Sequence, residues 1–190
     1  MIRNCVGLLL AAGQGRRFGG NKLLYPLDNG TPMVLASARP LRAVLSETIA
    51  VVDNTDGEVA RLLAQAGLQV VCNPQARKGV GTSIACGVAA SRHAGGWVIA
   101  LGDMPFIPQT IVHAVVAALA GGADIVAPVN QGQRGHPVGF SARYAEALMN
   151  LRADEGARGL IAAHRDSLEL IEVDVRGVLL DIDRRGEHGV

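Results

Sequence analysis

The sequence predicts an α/β protein, one domain with a mostly parallel sheet sandwiched between helices. Three observations predict it. Short continuous apolar runs alternate with segments of helical periodicity over most of the chain, which marks repeated βαβ units. Apolar residues make up 49% of the chain and aromatics only 3%, so the core is Val, Leu, Ile and Ala, the composition of strands buried on both faces. The length of 190 residues fits a single domain.

The elements follow in order. Val6–Ala12 is an apolar run ended by Gly13, hence a buried strand. Pro32–Leu45 reads as a helix that Pro40 would kink or divide. Thr48–Val52 is the second strand, Glu58–Ala66 a helix closed by Gly67, and Leu68–Cys72 the third strand. Thr82–Ala94 is helical, with Thr82 or Ser83 available as its N-cap. Trp97–Leu101 is a strand, Gln109–Ala120 a helix and Ile125–Pro128 a strand. Gln133–Phe140 reads as a loop, Ala142–Leu151 and Ala157–Ala163 as helices, and Leu168–Val173 as a last strand.

Charge and cysteine usage narrow the class. The formal net charge is +1 with no basic stripe, so nucleic acid is excluded as a partner. Of the three cysteines, Cys5 and Cys72 fall in strand-like runs and Cys86 in a helical one. They form no CxxC pair, and small buried hydrophobes in a reducing cytosol account for them. Arg3 before Val6–Ala12 imitates a secretory signal, but Gly15, Arg16 and Arg17 follow instead of a small-residue cleavage site. No apolar run is long enough to span a bilayer. The expectation is a soluble cytoplasmic protein without a membrane partner.

In an open parallel sheet, ligands bind outside the carboxyl ends of the strands. The loop after the first strand reads LLLAAGQGRRFGGNKLL, Leu8 to Leu24. Gly13, Gly15, Gly19 and Gly20 let backbone approach a ligand closely, and Arg16, Arg17 and Lys22 add fixed cations. Exposed N–H groups with cations make a phosphate site. It is not a P-loop, because Asn21 separates Gly20 from Lys22 and Leu23 follows. Nor is it a dinucleotide fingerprint, because Phe18 occupies the third small position.

Three further segments carry unusual residues. Asp103, in Gly102-Asp103-Met104-Pro105, ends a buried strand. A carboxylate there suits Mg²⁺, which takes one or two carboxylates and completes its shell with phosphates and waters. Asp181 and Asp183 share one face of an extended tail, and spacing does not choose between them as a second ligand. Arg77 to Ser83 precedes a helix and supplies Thr82 or Ser83 as its cap, leaving free N–H groups at the helix start. His136, in GQRGHPVGF, has no second His or Cys at ligand spacing, which argues against a metal role and leaves a base or a plain loop histidine.

The stretch LAAGQGRRFGGNKLL resembles the signature of the nucleotidyltransferases that activate sugars and cofactors. With KGVGTSIACG, ALGDMPFI and GQRGHPVGF it looks most like the molybdenum cofactor cytidylyltransferases, over Gly7 to Asp183. The resemblance implies a Rossmann-like three-layer sandwich of the nucleotidyltransferase (glycosyltransferase-A-like) type. It also implies Mg²⁺, and transfer of CMP from CTP to the phosphate of molybdopterin or the molybdenum cofactor, with a molybdoenzyme or its chaperone as protein partner. Site residues carry over as follows: Leu10, Ala11, Ala12, Gly13, Gly15, Arg16, Lys22, Gly79 and Ser83 on the nucleotide, Lys22, Arg17 and Asp103 in catalysis, Asp103 and Asp183 on the metal, and His136 beside the pterin. The sequence departs from the family where Arg184-Arg185 replace a Thr-Pro after Asp183. Rival readings are a guanylyltransferase, a sugar-phosphate nucleotidyltransferase, and a non-catalytic carrier of the finished cofactor. Ala12, where the guanylyltransferase branch has glycine, favours CTP.

Overall fold

A computed structural model describes residues 4–13, 21–152 and 156–182. Its centre is β1 (Cys5–Leu10), buried at every residue. Alternate side chains of β1 enter two separate apolar layers: Cys5 and Leu9 one, Val6, Leu8 and Leu10 the other. This is the physical reason the run is continuous and not alternating, since both faces of a central parallel strand are covered.

The chain then winds outward and returns. Helix α1 (Met33–Val44) leads to β2 (Glu47–Val52), and α2 (Glu58–Gln65) leads to β3 (Gln69–Cys72). Helix α3 (Val80–Ala90) crosses back to β4 (Gly96–Leu101), which pairs parallel with the free edge of β1. Strands β2 and β1, and β3 and β2, also pair parallel. Helix α4 (Gln109–Gly121) leads to β5 (Ile125–Asn130). Then come the short β6 (Gln133–Arg134), β7 (Val138–Ser141), α5 (Ala145–Met149), α6 (Arg158–Ala163) and β8 (Leu168–Glu172). The strand order is β3-β2-β1-β4-β7-β5-β6, with β8 paired parallel to β5. Residues of α1, α2 and α4 fill one layer, and residues of α3, α5 and α6 fill the other. No described helix is long and apolar enough to cross a membrane.

The α/β sandwich is as expected, with four differences. The supposed loop Gln133–Phe140 contains β6 and β7, and β7 lies antiparallel between β4 and β5. Its four residues are too short a run for periodicity to reveal. Pro40 does not divide α1, which stays one helix with Pro40 buried inside it. Helix α3 starts at Val80 with Gly79 as N-cap, so neither Thr82 nor Ser83 caps it. Finally, Cys5 is buried as expected, but Cys72 is exposed and Cys86 half-buried, because β3 is an edge strand.

Beyond β8 the chain does not trail into solvent. A turn at Arg176–Val178 lays it across the crevice at very short range. A Cβ on Gly177 would come within 2.1 Å of the Phe106 carbonyl oxygen, and one on Gly135 within 2.3 Å of that of Val178. Only glycine permits either approach. The His136 N–H donates to Val178 O at 2.9 Å, and the Ile182 N–H donates to Asp103 O at 3.2 Å. Ile182 is 1% exposed and packs against Met33.

Candidate active site

Strands β1 and β4 end side by side, and Gly102 lets their exits touch. Its N–H donates to Leu10 O at 2.9 Å, and a Cβ there would lie 3.1 Å from that oxygen. Ser37 Oγ, buried in α1, lies 3.0 Å from both Met33 O and Gly102 O. The turn carrying Asp103 is therefore pinned to a helix on one side and to β1 on the other. Lys22 reaches the same point from a short 3-10 turn at Lys22–Leu24, whose start is capped by Asn21 accepting from the Leu23 N–H at 3.2 Å.

Lys22 Nζ lies 3.0 Å from Asp103 Oδ2, across 81 residues of sequence. Lys22 is 7% exposed. A buried ammonium is retained only where a negative partner offsets its desolvation. The carboxylate that holds it is thus fixed at the mouth of the crevice, ready for cations. Sequence reasoning expected both residues at the site, and the structure brings them into direct contact. The backbone next to Asp181 is tied to the same turn, since the Ile182 N–H donates to Asp103 O, while Asp181 itself lines a neighbouring cavity. Asp183, Gly15, Arg16 and Arg17 lie outside the described residues.

Leu10, Ala11 and Ala12 are buried at the end of β1, while Gly13 is exposed. A Cβ built on Gly13 meets nothing within 4 Å, so its open side faces free space at the crevice. Ala11 packs into the apolar layer of α1 and α2; Ala12 belongs to neither apolar layer.

The loop before α3 is held from inside. Asn73, 3% exposed at the carboxyl end of β3, donates through Nδ2 to Thr82 Oγ1 at 2.9 Å and Ser83 Oγ at 3.0 Å. Its Oδ1 accepts from the Gln75 N–H at 3.0 Å. Thr82 Oγ1 also lies 2.8 Å from Gly79 O. Ser83 is buried, and its hydroxyl braces the loop. Gly79 takes a φ of +122° that a side chain would resist. Sequence reasoning missed Asn73; a buried polar residue directly after a strand was the available signal.

On the far side of Asp103 opens a cavity of about 610 Å³, floored by apolar side chains that include Ile84, Leu101, Phe140 and Ile161. Leu10, Arg134, His136, Arg158 and Asp181 line it as well. His136 follows the approach at Gly135 and is joined to Pro137 by a cis peptide bond. Its Nδ1 is buried without a hydrogen-bond partner. Burial pushes the imidazole below its ordinary pKa of 6.5; a hydrogen bond to the Ile99 backbone and the charge of Asp103 oppose this, and Arg134 and Arg158 add to it. The ring is accordingly neutral at physiological pH.

The donor set fits a hard divalent cation. No cluster of three or more His, Cys, Asp or Glu is present among the described residues. Mg²⁺ needs no such cage, since phosphates and waters complete its shell around one or two carboxylates. Asp103, already bound to one cation, with Asp181 nearby, meets that requirement.

Residues 7–168 match the MobA-like NTP transferase domain. The chain is similar to the purine catabolism protein PucB of Bacillus subtilis (strain 168), 31% identical over 96% of this chain and 93% of that one. It is also similar to a probable molybdenum cofactor guanylyltransferase of Thermococcus gammatolerans, 27% identical over 84% of this chain and 80% of that one. Among solved structures it resembles Rv0371c of Mycobacterium tuberculosis H37Rv, with a TM-score of 0.83 and 24% identity over 97% of this chain and 95% of that one. That mycobacterial protein has also been solved as a complex with manganese.

Proposed function

The chain belongs to the MobA-like NTP transferase family and is a nucleotidyltransferase, and we propose that it transfers CMP from CTP to the phosphate of molybdopterin or of the molybdenum cofactor. The observation that carries this reading is the Lys22–Asp103 pair, 3.0 Å apart where β1 and β4 end. A carrier that only binds and delivers a finished cofactor has no need of a buried lysine paired with a crevice carboxylate.

In the proposed reaction an oxygen of the acceptor phosphate attacks the α-phosphorus of CTP. A new P–O bond forms, and the bond from the α-phosphorus to its bridging oxygen breaks. Pyrophosphate leaves with that electron pair. The nucleophile is already an anion, so no side chain has to remove a proton. Catalysis then rests on positioning and on charge placed in advance. Mg²⁺, held by Asp103 and, as the resemblance of the tail implies, by Asp183, would neutralise charge on the α-phosphate and the leaving group. Lys22 would turn from Asp103 towards the phosphates as the nucleotide arrives, and Arg17 would assist it. Gly13, Gly15 and Arg16 would line the phosphates, with Leu10, Ala11 and Ala12 below the base. The Gly79 loop, braced by Asn73 and Ser83, would present backbone groups to the base edge. His136 Nδ1 would take a hydrogen bond from the acceptor in the cavity.

A guanylyl transfer is the second reading, favoured by the name of the Thermococcus relative. Ala12 weighs against it, because its methyl group narrows the floor where a purine would need room. The test is a panel of CTP, GTP, ATP and UTP against molybdopterin, molybdenum-loaded cofactor and common sugar phosphates, read by pyrophosphate release. Release with CTP and a molybdopterin acceptor is expected; release only with a sugar phosphate would overturn the acceptor assignment.

A further inference from the structure

The acceptor cavity carries a positive rim whose charges have no assigned use. Arg134 ends β6 and Arg158 begins α6, and both line the cavity. Neither guanidinium has a carboxylate partner among the described residues. Burial, then the charges of Arg158 and Arg165, press the Arg134 guanidinium below its usual pKa. Both arginines are exposed, and their five-donor forks are available to an anion that enters the cavity. The remaining polar contributors agree. His136 lines the cavity as well, its Nδ1 buried and without a partner. Among the described residues Asp181 is the one carboxylate lining the cavity.

We propose that Arg134 and Arg158 form a clamp for the phosphate monoester of the acceptor, whose flat, largely apolar body fills the cavity behind it. This rests on the reaction proposed above and deepens it by assigning the residues that hold the nucleophile. The chemistry requires such a clamp. A phosphate dianion must approach a triphosphate of like charge, and two planar guanidinium forks neutralise it while leaving an oxygen free to attack. Binding by the forks fixes the direction of that oxygen as well as its charge.

The probe is phenyl phosphate, a dianion on a flat apolar ring, measured by equilibrium dialysis against the whole protein. Wild type is compared with Arg134→Gln, Arg158→Gln and the double variant. Both side chains are exposed, so the variants are expected to melt as wild type does. The expected result is a loss of phenyl phosphate affinity of about tenfold or more in the double variant, as follows from losing charge-assisted hydrogen bonds, with phenol bound equally by all four proteins. Equal phenyl phosphate binding by wild type and double variant, or none by wild type, overturns the clamp. Steady-state transfer separates the clamp from the reaction it rests on. CMP transfer to molybdopterin with an unchanged molybdopterin KM in the double variant overturns the clamp and leaves the reaction standing. Arginine-dependent phenyl phosphate binding without any CMP transfer supports the clamp and removes the reaction.

Discussion

Strands β1 to β4 run parallel, and the candidate residues of that half lie in the connections that follow them: Lys22 after β1, Asn73 and Gly79 after β3, Asp103 after β4. The half beyond β4 works differently. Its wall comes from a hairpin, an antiparallel strand, a short helix and a tail that crosses back over the crevice. The contrast teaches where chemistry and recognition are built. On the proposed function, the first half positions the phosphate site with loops on a parallel scaffold. The second half assembles the cavity proposed for the acceptor from segments distant in sequence, held by glycine-permitted backbone contacts at Gly135 and Gly177.

If the first half carries the chemistry, the largest effects come from its charges. Asp103→Asn preserves shape but removes the charge at the joined strand ends, and kcat is expected to fall by about 1,000-fold at saturating Mg²⁺. Turnover near wild type would remove Asp103 from the metal. Lys22→Ala is expected to lower kcat by about 100-fold with little change in the KM for CTP, because a cation that meets transition-state charge acts on kcat and kcat/KM together. A change in KM alone would make Lys22 a uniform binding contact.

These charges were legible in the sequence because the Gly-rich loop and Asp103 each follow a long apolar run. The sandwich itself was legible for the same reason. What escaped had no such marker. β7 is four residues long and β6 only two, and the antiparallel placement of β7 depends on pairing with β4, which no local pattern encodes. The docking of Ile182 on Met33 and Asp103 is likewise a tertiary event. Thr82 and Ser83 have cap chemistry, but Asn73 draws their hydroxyls inward. Cys72 reads as buried in an apolar run, yet it belongs to an edge strand.

Nucleotide choice sharpens the comparison within the first half. Ala12→Gly is expected to raise GTP use relative to CTP by about 10- to 200-fold in kcat/KM, the worth of one methyl in a pocket. An unchanged ratio in a folded variant would show that Ala12 does not meet the base.

The smallest effect is expected in the second half, and it is one of pH. The folded His136 has a pKa below the ordinary 6.5 because of burial, with Asp103 opposing and Arg134 and Arg158 assisting. In the unfolded chain the ring takes up a proton near its ordinary value, so below it the unfolded state binds more protons than the folded one. The stability associated with neutral His136 is complete above that value and is lost as pH falls below it. Between about pH 7 and pH 5, Tm is expected to fall further in wild type than in His136→Asn. Parallel curves would show that the ring does not stay neutral in the fold.

The most direct measurement of the account is a competition: wild-type protein, Mg²⁺, molybdopterin and equimolar CTP and GTP, with the product identified by mass. The account predicts the CMP adduct of molybdopterin as the main product, together with one pyrophosphate per adduct. A GMP adduct as the main product would contradict the cytidylyl assignment, and the absence of either adduct would contradict molybdopterin as the acceptor.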